Sequence, residues 1–388
     1  MAPTHDGRGD APSDCPVKVV LIGGIPESLV LFRGPLIAAL VEAGHEVTAF
    51  AGRAEPWVEA ELVRLGARFV TYPLDRAGTG LRSDISTYRG LKARLRETAP
   101  DVVIAYTAKP VIWGALAARR AGVPIFHAMI TGRGEQFDAA GPLGLRATLL
   151  RALYRRALAR TRSVVFQNEE DRAFFVAEGL VAEGRTALVA GSGVDLDFWR
   201  EAPLPEGPPT FLMVARLLVA KGVREYAEAA RLVRQDRPDV RFLLIGAAET
   251  GARGVPLAEV NAWHEAGAIE YLGTRPNVRD ALVDSHVLVL PSYYGEGVPR
   301  TILEAMATGR PVLSTDNVGC RDAVVHGVTG RLVAPRDADA LSGGVHRMLA
   351  ESASWAAMGR AGRQRAEDVY DVKKVNARLL EITGLAAA

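Results

Sequence analysis

The sequence of 388 residues contains only two cysteines and carries a formal net charge of only +2. Because Cys15 and Cys320 lie in very different sequence contexts, they indicate neither a disulfide framework nor a metal-binding motif. A net charge this small does not favour nucleic-acid binding. No apolar run approaches the roughly 18 residues that a membrane-spanning helix needs. We therefore expect a cytoplasmic protein that binds no metal and no nucleic acid.

The first sixteen residues also lack the apolar core of a signal peptide, and they are polar and rich in glycine and proline. We expect residues 1–16 to form a disordered tail. The whole chain has an ordinary globular composition, with 48% hydrophobic and 24% charged residues. A chain of this length is expected to form two domains.

Short apolar segments alternate with helical patterns, which predicts an α/β protein with parallel sheets built from βαβ units. The proline-rich residues 194–209 separate two such patterns and predict a stiff connector. We predict a Rossmann-like domain on each side, at residues 17–193 and 210–367. Apolar residues at helical intervals predict a terminal helix within residues 368–388. The predicted strands are 18–22, 46–50, 68–72, 101–106, 124–129, 163–166, 187–190, 210–214, 241–245, 269–272, 287–290 and 312–314.

Two glutamates eight residues apart follow the predicted strand 287–290. Glu296 lies in a loop, and Glu304 lies on the second turn of a helix whose first turn would contain Pro299. A helix N-terminus at a strand end offers unpaired amides to an anion such as a phosphate. The two carboxylates would not bind the phosphate, but they could accept hydrogen bonds from hydroxyls on a sugar and a ribose. Alone, the spacing is equally compatible with two surface acids.

The segment from Glu296 to Glu304 resembles the E-x7-E signature of glycosyltransferase family 4, whose members are retaining enzymes of the GT-B fold. Arg216 with Lys221-Gly222 is similar to the basic donor-phosphate motif of that family. Thr131-Gly132, Phe166-Gln167-Asn168 and residues 191–195 resemble the subgroup that extends lipid-linked glycans for capsule, O-antigen or exopolysaccharide. The resemblance implies two Rossmann-like domains facing a cleft, with the C-terminal helix crossing back to the first domain.

The resemblance also implies a donor site in which Glu296 holds sugar hydroxyls and Glu304 the ribose. A nucleoside diphosphate carries about two negative charges, whereas a helix N-terminus supplies about half a positive charge, so side-chain cations must neutralise it. Arg216 and Lys221 are our candidates, and the alternative is that both are ordinary surface cations. We predict Glu296, Arg216 and Lys221 as catalytic residues. The predicted donor-binding residues are Gly24, Arg216, Lys221, Glu296, Gly297, Val298, Pro299, Arg300, Thr301 and Glu304.

The loop after the first strand contains Gly23-Gly24, where backbone amides can approach a phosphate. It lacks the G-x-G-x-x-G pattern of a dinucleotide site, and a plain tight turn is the alternative. On the acceptor side, Thr131 occupies the position where many relatives carry a histidine beside the glycine. His127 lies four residues upstream, where a core histidine is the alternative. The predicted acceptor or cleft residues are Arg33, His127, Thr131, Gly132, Arg133 and Glu135.

Residues 145–162 form a basic amphipathic pattern with six arginines and no acidic residue. Such a helix suits the surface of an anionic membrane, and the alternative is a solvated face over a leucine stripe. We therefore expect contact with the inner face of the plasma membrane through residues 145–162.

The expected reaction is retaining transfer of a hexosyl or N-acetylhexosaminyl group from a nucleotide sugar, without a metal or any other cofactor. A UDP-sugar is favoured as donor, and a polyprenyl-diphosphate-linked saccharide is the expected acceptor. One alternative is a transferase that uses GDP-mannose or a soluble small-molecule acceptor. Another is a UDP-sugar epimerase of similar fold, although an epimerase is not expected to carry the Glu296/Glu304 pair.

Overall fold

The structure, a computed structural model, describes residues 16–75, 80–134, 145–249, 251 and 253–387. Within these residues the first sheet has seven parallel strands, in the order β3-β2-β1-β4-β5-β6-β7. The strands are β1 (Lys18–Ile22), β2 (Glu46–Ala51), β3 (Arg68–Thr71), β4 (Val102–Tyr106), β5 (Ile125–Ile130), β6 (Ser163–Phe166) and β7 (Thr186–Leu188).

The second sheet, in the same described part of the chain, has six parallel strands in the order β10-β9-β8-β11-β12-β13. The strands are β8 (Thr210–Val214), β9 (Arg241–Ile245), β10 (Glu270–Tyr271), β11 (Val287–Leu290), β12 (Val312–Thr315) and β13 (Gly330–Val333). The predicted strands of both sheets correspond to the observed ones, with ends that differ by at most two residues, and β13 was not among them.

The helices connect the strands and cover both faces of each sheet. They are α1 (Pro26–Leu31), α2 (Gly34–Glu42), α3 (Pro56–Arg64), α4 (Leu81–Thr98), α5 (Ala108–Ala121), α6 (Leu145–Leu158), α7 (Glu169–Ala177), α8 (Val223–Val233), α9 (Leu257–Glu265), α10 (Arg279–Val283), α11 (Arg300–Ala307), α12 (Cys320–Ala323), α13 (Ala338–Ala350), α14 (Trp355–Arg365) and α15 (Val372–Thr383). Because helices pack on both faces, central strands such as β4 and β11 are buried along their whole length.

The chain order reverses beside the first strand of each sheet, because β1 lies between β2 and β4, and β8 lies between β9 and β11. In open parallel sheets the crevice at such a switch point, outside the carboxyl ends of the strands, is where ligands bind. Each sheet therefore offers one such crevice.

The terminal helix α15 returns to the first domain, as expected. Val375 and Leu379 are buried in the same apolar cluster as Val19 and Leu21 of β1. The ring Nε2 of His45 lies 3.0 Å from the carbonyl oxygen of Leu385, just beyond α15. The two parallel sheets and this returning helix confirm the expected GT-B architecture.

The two crossings between the sheets are paired with each other. The amide of Val194 donates to the carbonyl of Tyr370 at 2.8 Å, and the amide of Val372 donates to the carbonyl of Val194 at 3.0 Å. Buried Arg310 donates to the carbonyls of Ala202 and Pro203 at 2.7 and 2.8 Å. The connector is therefore fixed to the second domain over part of its length.

Helix α6 ends at Leu158, four residues earlier than the basic pattern, and packs on α5. Arg151 pairs with Glu178 at 2.5 Å, and Arg155 donates to the carbonyls of Glu178 and Gly179. These two arginines therefore stabilise the fold. Among the described residues, no helix combines the length and the apolar character that crossing a membrane requires.

Candidate functional site

Two loops at strand ends bring the domains into direct contact. The loop after β5 contains residues 131–134, and the loop after β11 contains Glu296 and Gly297. The amide of Gly134 donates to the carbonyl of Gly295 at 2.7 Å, and the amide of Gly297 donates to the carbonyl of Thr131 at 2.9 Å. The cleft is closed at this point.

Glycine is required at position 132 for this contact. Gly132 has a φ of +131°, and a Cβ added there would lie 2.6 Å from the Cα of Glu296. Any side chain would therefore push the two loops apart. Thr131 and Gly132, predicted as cleft residues, do lie at the interface between the domains.

Lys221 and Glu296 form an ion pair inside the cleft. The Nζ of Lys221 lies 2.5 Å from Oε1 and 2.7 Å from Oε2 of Glu296, and both side chains are mostly buried. The hydroxyl of Ser292 donates to the same Oε1 at 3.0 Å. Three contacts from two groups thus fix the position of the carboxylate.

The position of Lys221 depends on a turn that only glycine can complete. Lys221 ends a short 3-10 turn after β8, and Gly222 follows with a φ of +76°. A Cβ at Gly222 would lie 2.2 Å from the carbonyl oxygen of Pro291. The loop after β8 therefore packs directly on the end of β11, and this packing places Lys221 beside Glu296.

Arg216 lies on the rim of the same edge of the second sheet. Its Nη1 is 2.8 Å from Oε2 of Glu249, which follows β9, and the arginine side chain is 42% exposed. Each of the two predicted phosphate-binding cations is therefore already paired with a carboxylate.

Arg300 and Glu304 lie on the first two turns of α11. The helix begins at Arg300, with Pro299 as its N-cap, one residue later than expected. The Nε of Arg300 lies 2.9 Å from Oε1 of Glu304. Burial of Glu304 raises the pKa of its carboxyl, although the charge of Arg300 acts in the opposite direction.

The side chain of Arg300 also crosses to the first domain. It donates to the carbonyl of Leu31, and its guanidinium carbon is 5.2 Å from the ring centroid of Phe32. Arg300 was predicted as a donor-binding residue, and this link to α1 was not predicted. Thr301 follows it and is partly buried.

Two of the backbone amides near the predicted diphosphate site are engaged in this arrangement. The amide of Gly297 is bound by Thr131, and that of Val298 lies 3.4 Å from Oε1 of Gln167. The side chain of Val298 is buried against Gly191. These two amides are therefore not available to a phosphate while the loops are in contact.

Gly24 lies in the crevice of the first sheet, beside the start of α5. A Cβ at Gly24 would lie 2.7 Å from the hydroxyl oxygen of Thr107, so the two segments are in close contact. Thr107 itself has a φ of +69°, which is unusual for a residue other than glycine. The structure therefore places Gly24 at the predicted strand end.

The remaining first-domain residues have different positions. His127 does not reach the cleft, because it lies within β5, is 1% exposed and has its Nδ1 2.8 Å from the hydroxyl of Ser163. Its prediction as a cleft residue was wrong, and the core alternative holds. Burial lowers the pKa of His127 to about 4. Arg33 is buried beside Tyr106, and Glu135 lies outside the described residues.

Arg133 is engaged by acids of α7. Its Nε is 2.8 Å from Oδ1 of Asp171, and its Nη2 is 3.0 Å from Oε1 of Glu170. Arg321 of the second domain lies 2.6 Å from Oε2 of the same Glu170. Glu170 thus links the two domains through Arg321, while Arg133 holds it from its own domain. Glu170 was not among the predicted site residues.

A groove of about 980 Å³ runs along the cleft from Arg300 and Glu304. Its walls come from α1 and α2, the connector residues 195–199, residues 276–278 and the terminal helix α15. Its size is within the range of small-molecule and cofactor sites.

Comparison with known proteins gives the family and the fold. Residues 34–192 match the family model described as "Glycosyl transferase 4-like domain", and residues 208–351 match "Glycosyl transferases group 1". The chain is 27% identical to the N,N'-diacetylbacillosaminyl-diphospho-undecaprenol alpha-1,3-N-acetylgalactosaminyltransferase of Campylobacter jejuni, over 83% of this chain and 86% of that protein.

A second relative is the UDP-Gal:alpha-D-GlcNAc-diphosphoundecaprenol alpha-1,3-galactosyltransferase of Escherichia coli. It is 29% identical to this chain, over 67% of this chain and 68% of that protein. Among solved structures, Anabaena Alr3699/HepE in complex with UDP and glucose superposes with a TM-score of 0.76 at 19% identity, covering 94% of this chain and 98% of that one. This likeness concerns the fold.

Proposed function

This chain belongs to the glycosyl transferases described by these two family models, and on that premise we propose its reaction. The enzyme moves a hexosyl or N-acetylhexosaminyl group from a nucleotide sugar, preferably a UDP-sugar, to a saccharide linked to a polyprenyl diphosphate. The acceptor class is supported by the two relatives, whose names both contain a saccharide on diphosphoundecaprenol.

The observation that carries the donor site is the Lys221–Glu296 pair at the carboxyl end of β11. A cation and a carboxylate held side by side suit a ligand with a diphosphate next to sugar hydroxyls, because each group finds an opposite partner. When a donor binds, Lys221 turns towards the diphosphate, and Glu296 accepts hydrogen bonds from the sugar. Arg216, on the rim, adds a second cation for the same diphosphate.

The nucleoside part of the donor occupies the groove beside α11. Glu304 lines this groove and is positioned by Arg300, so that its carboxylate can accept hydrogen bonds from the ribose hydroxyls. Residues 276–278 also line this groove, and the base is placed beside them in this proposal.

The chemical step relies on charge stabilisation. As the bond between sugar and diphosphate breaks, negative charge develops on the leaving group, and Arg216 and Lys221 stabilise it. The departing phosphate accepts the proton of the acceptor hydroxyl, and the configuration at the sugar carbon is retained. Glu296 is held by Lys221 and Ser292 and serves to orient the donor. No metal takes part in this proposal.

The enzyme reaches its acceptor at the inner face of the plasma membrane. Helix α6 and the turn after it expose Leu149, Arg156, Arg160 and Arg162. Cations near anionic lipid contribute about 1 kcal/mol each. Arg151 and Arg155 have structural partners, so the membrane contact rests on the exposed set.

A panel of UDP- and GDP-sugars, incubated with the protein and an isoprenoid-linked acceptor extract, tests this function. We expect labelled sugar from one UDP-sugar to enter the organic phase, at the same rate with and without EDTA. Transfer from GDP-mannose, or only to a soluble acceptor, would replace the proposed substrates. Conversion of one UDP-sugar into another without transfer would show an epimerase and contradict the proposal.

A further inference from the structure

Arg33 is a buried cation without an acidic partner. It lies immediately before α2 and is only 3% exposed. Its guanidinium carbon is 5.0 Å from the ring centroid of Tyr106, the last residue of β4. Its Nε is buried and has no hydrogen-bond partner among the described residues, and no described carboxylate forms an ion pair with it.

Such an arrangement is costly unless a ligand completes it. Burying an unpaired charge is costly, and a contact between an arginine and an aromatic face offsets only part of that cost. Burial lowers the pKa of Arg33, and the charge of Arg300 lowers it further. The nearby charge therefore adds repulsion to the cost of burial. The contact with Tyr106 alone does not account for this arginine.

Arg300 provides the second cation of this cluster from the opposite domain. It contacts Leu31 and Phe32, the two residues that precede Arg33 in the chain. Glu304 is the ion-pair partner of Arg300, and Arg33 has no such partner among the described residues. The cluster of Arg33, Arg300 and Glu304 keeps a net positive charge in the cleft. A ligand with a negative charge is required to balance it.

The position of Arg33 separates it from the proposed donor phosphates. Arg216 and Lys221 follow β8 of the second sheet, whereas Arg33 lies at the end of β4, beside the crevice of the first sheet. A nucleotide sugar brings one diphosphate, and Arg216 and Lys221 already serve it in the proposed function. Arg33 at the end of β4, together with the Arg300 side chain that reaches across to α1, therefore points to a second anionic group, on the other substrate.

We propose that Arg33 and Arg300 bind the diphosphate group of the acceptor. Arginine suits this role because its planar fork of donors matches phosphate oxygens in pairs. Arg33 donates from the first domain and Arg300 from the second, so that a bound diphosphate joins the two domains across the cleft. This inference rests on the proposed function, since it assigns the diphosphate of the proposed acceptor to these residues.

Calorimetry with two diphosphates distinguishes the acceptor site from the donor site. Geranyl diphosphate serves as the acceptor probe, geraniol as its phosphate-free control, and UDP as the donor probe. We expect the wild-type protein saturated with UDP to bind geranyl diphosphate and not geraniol. Competition between geranyl diphosphate and UDP for one site would overturn the proposal.

Substitution of the cluster gives the second arm. Arg33→Gln should weaken binding of geranyl diphosphate at least 10-fold and change the Kd of UDP less than twofold, and Arg33→Lys should restore part of the binding. Arg94→Gln, which removes an exposed arginine paired with Glu97 on α4, is the control and should change neither. Unchanged binding of geranyl diphosphate in a folded Arg33→Gln protein would also overturn the proposal.

Arg300→Gln covers the case in which Arg33→Gln does not fold. This substitution should weaken the binding of geranyl diphosphate more strongly than the binding of UDP. Equal losses of affinity for the two ligands would contradict the assignment. If the protein transfers sugar to a lipid-linked acceptor but fails these binding tests, the proposed function stands and only the acceptor subsite at Arg33 and Arg300 is refuted. A protein that transfers no sugar fails at the proposed function itself.

Discussion

The ammonium of Lys221 lies 2.5 Å and 2.7 Å from the two carboxylate oxygens of Glu296, across 75 positions of sequence. Both groups are mostly buried, so that each neutralises a charge that would otherwise be costly in the cleft. The same contact keeps both side chains in place before a donor arrives. In the proposed function, a binding donor replaces this contact with contacts to its diphosphate and its sugar.

Replacing Lys221 should therefore reduce turnover strongly. In Lys221→Ala the developing charge on the leaving group loses its nearest cation, and we expect kcat to fall roughly 100-fold or more. Glu296 also loses its partner, so we expect a lower melting temperature. The measurement is steady-state transfer rate beside thermal unfolding, and a folded variant with near-normal kcat would refute the role of Lys221.

Arg216→Ala should also reduce kcat by roughly 100-fold if the exposed arginine serves the leaving group. Arg241→Ala offers a matched control, because Arg241 is similarly exposed at 44%, pairs with Glu270 at 2.7 Å and lies at the amino end of β9, away from the strand ends that form the donor site. Exposed ion pairs contribute little to stability, so both variants should unfold near the wild-type temperature. Equal kcat in the two variants would contradict the role of Arg216.

The two glutamates should separate nucleotide binding from sugar transfer. Glu304→Ala removes the proposed ribose contact, so calorimetry with free UDP should give a weaker Kd. Glu296→Ala removes contacts to the sugar, so it should reduce kcat while leaving the Kd of free UDP nearly unchanged. Equal losses of UDP affinity in both variants would refute the assigned roles.

Closure of the cleft should depend on Gly132. In Gly132→Ala the new Cβ meets the backbone of Glu296, and the positive φ adds strain of about 1–3 kcal/mol. We expect roughly 10-fold lower kcat/KM and a larger radius of gyration in small-angle scattering with nucleotide bound. Gly134→Ala is the control, because Gly134 also has a positive φ, of +66°, but nothing lies within 4 Å of its added Cβ. If Gly134→Ala opens the protein to the same extent, the contact at Gly132 is not the cause.

Acid should destabilise the protein through His127. Its pKa is about 4 in the folded chain, below the value of about 6.5 of an unfolded histidine. Between these two pH values the unfolded chain binds the proton and the folded chain does not, so the free energy of unfolding falls as the pH falls, by up to about 3 kcal/mol. Denaturant unfolding at pH 7 and pH 4.5 measures this, and His127→Gln should show a smaller fall. An equal fall in the free energy of unfolding for the wild-type protein and for His127→Gln would contradict this prediction.

The architecture could be predicted because parallel strands covered on both faces leave short apolar segments in the sequence. β4 and β11 are examples, buried at every position, and their predicted ends were at most one residue off. The position of His127 inside such a segment already indicated a core side chain. β13 was missed, since only Gly330 of its four residues is fully buried.

The contacts across the cleft could not be predicted in the same way. The i,i+4 spacing of Arg300 and Glu304 is a local signal for their ion pair. Nothing local indicates that Lys221 meets Glu296, that Glu170 meets Arg321, or that Arg300 reaches Leu31, because these contacts arise from packing of distant segments. For the same reason, the sequence could not show that the amides of Gly297 and Val298 contact Thr131 and Gln167 of the first domain.

The most direct test of the account is a single-turnover experiment with the radiolabelled nucleotide sugar that the panel identifies and the isoprenoid-linked acceptor. For the wild-type protein we predict one nucleoside diphosphate released for each labelled sugar that enters the organic phase, and for folded Lys221→Ala the same ratio at a rate roughly 100-fold lower. Consumption of the nucleotide sugar without label in the organic phase, or an unchanged rate in Lys221→Ala, would contradict it.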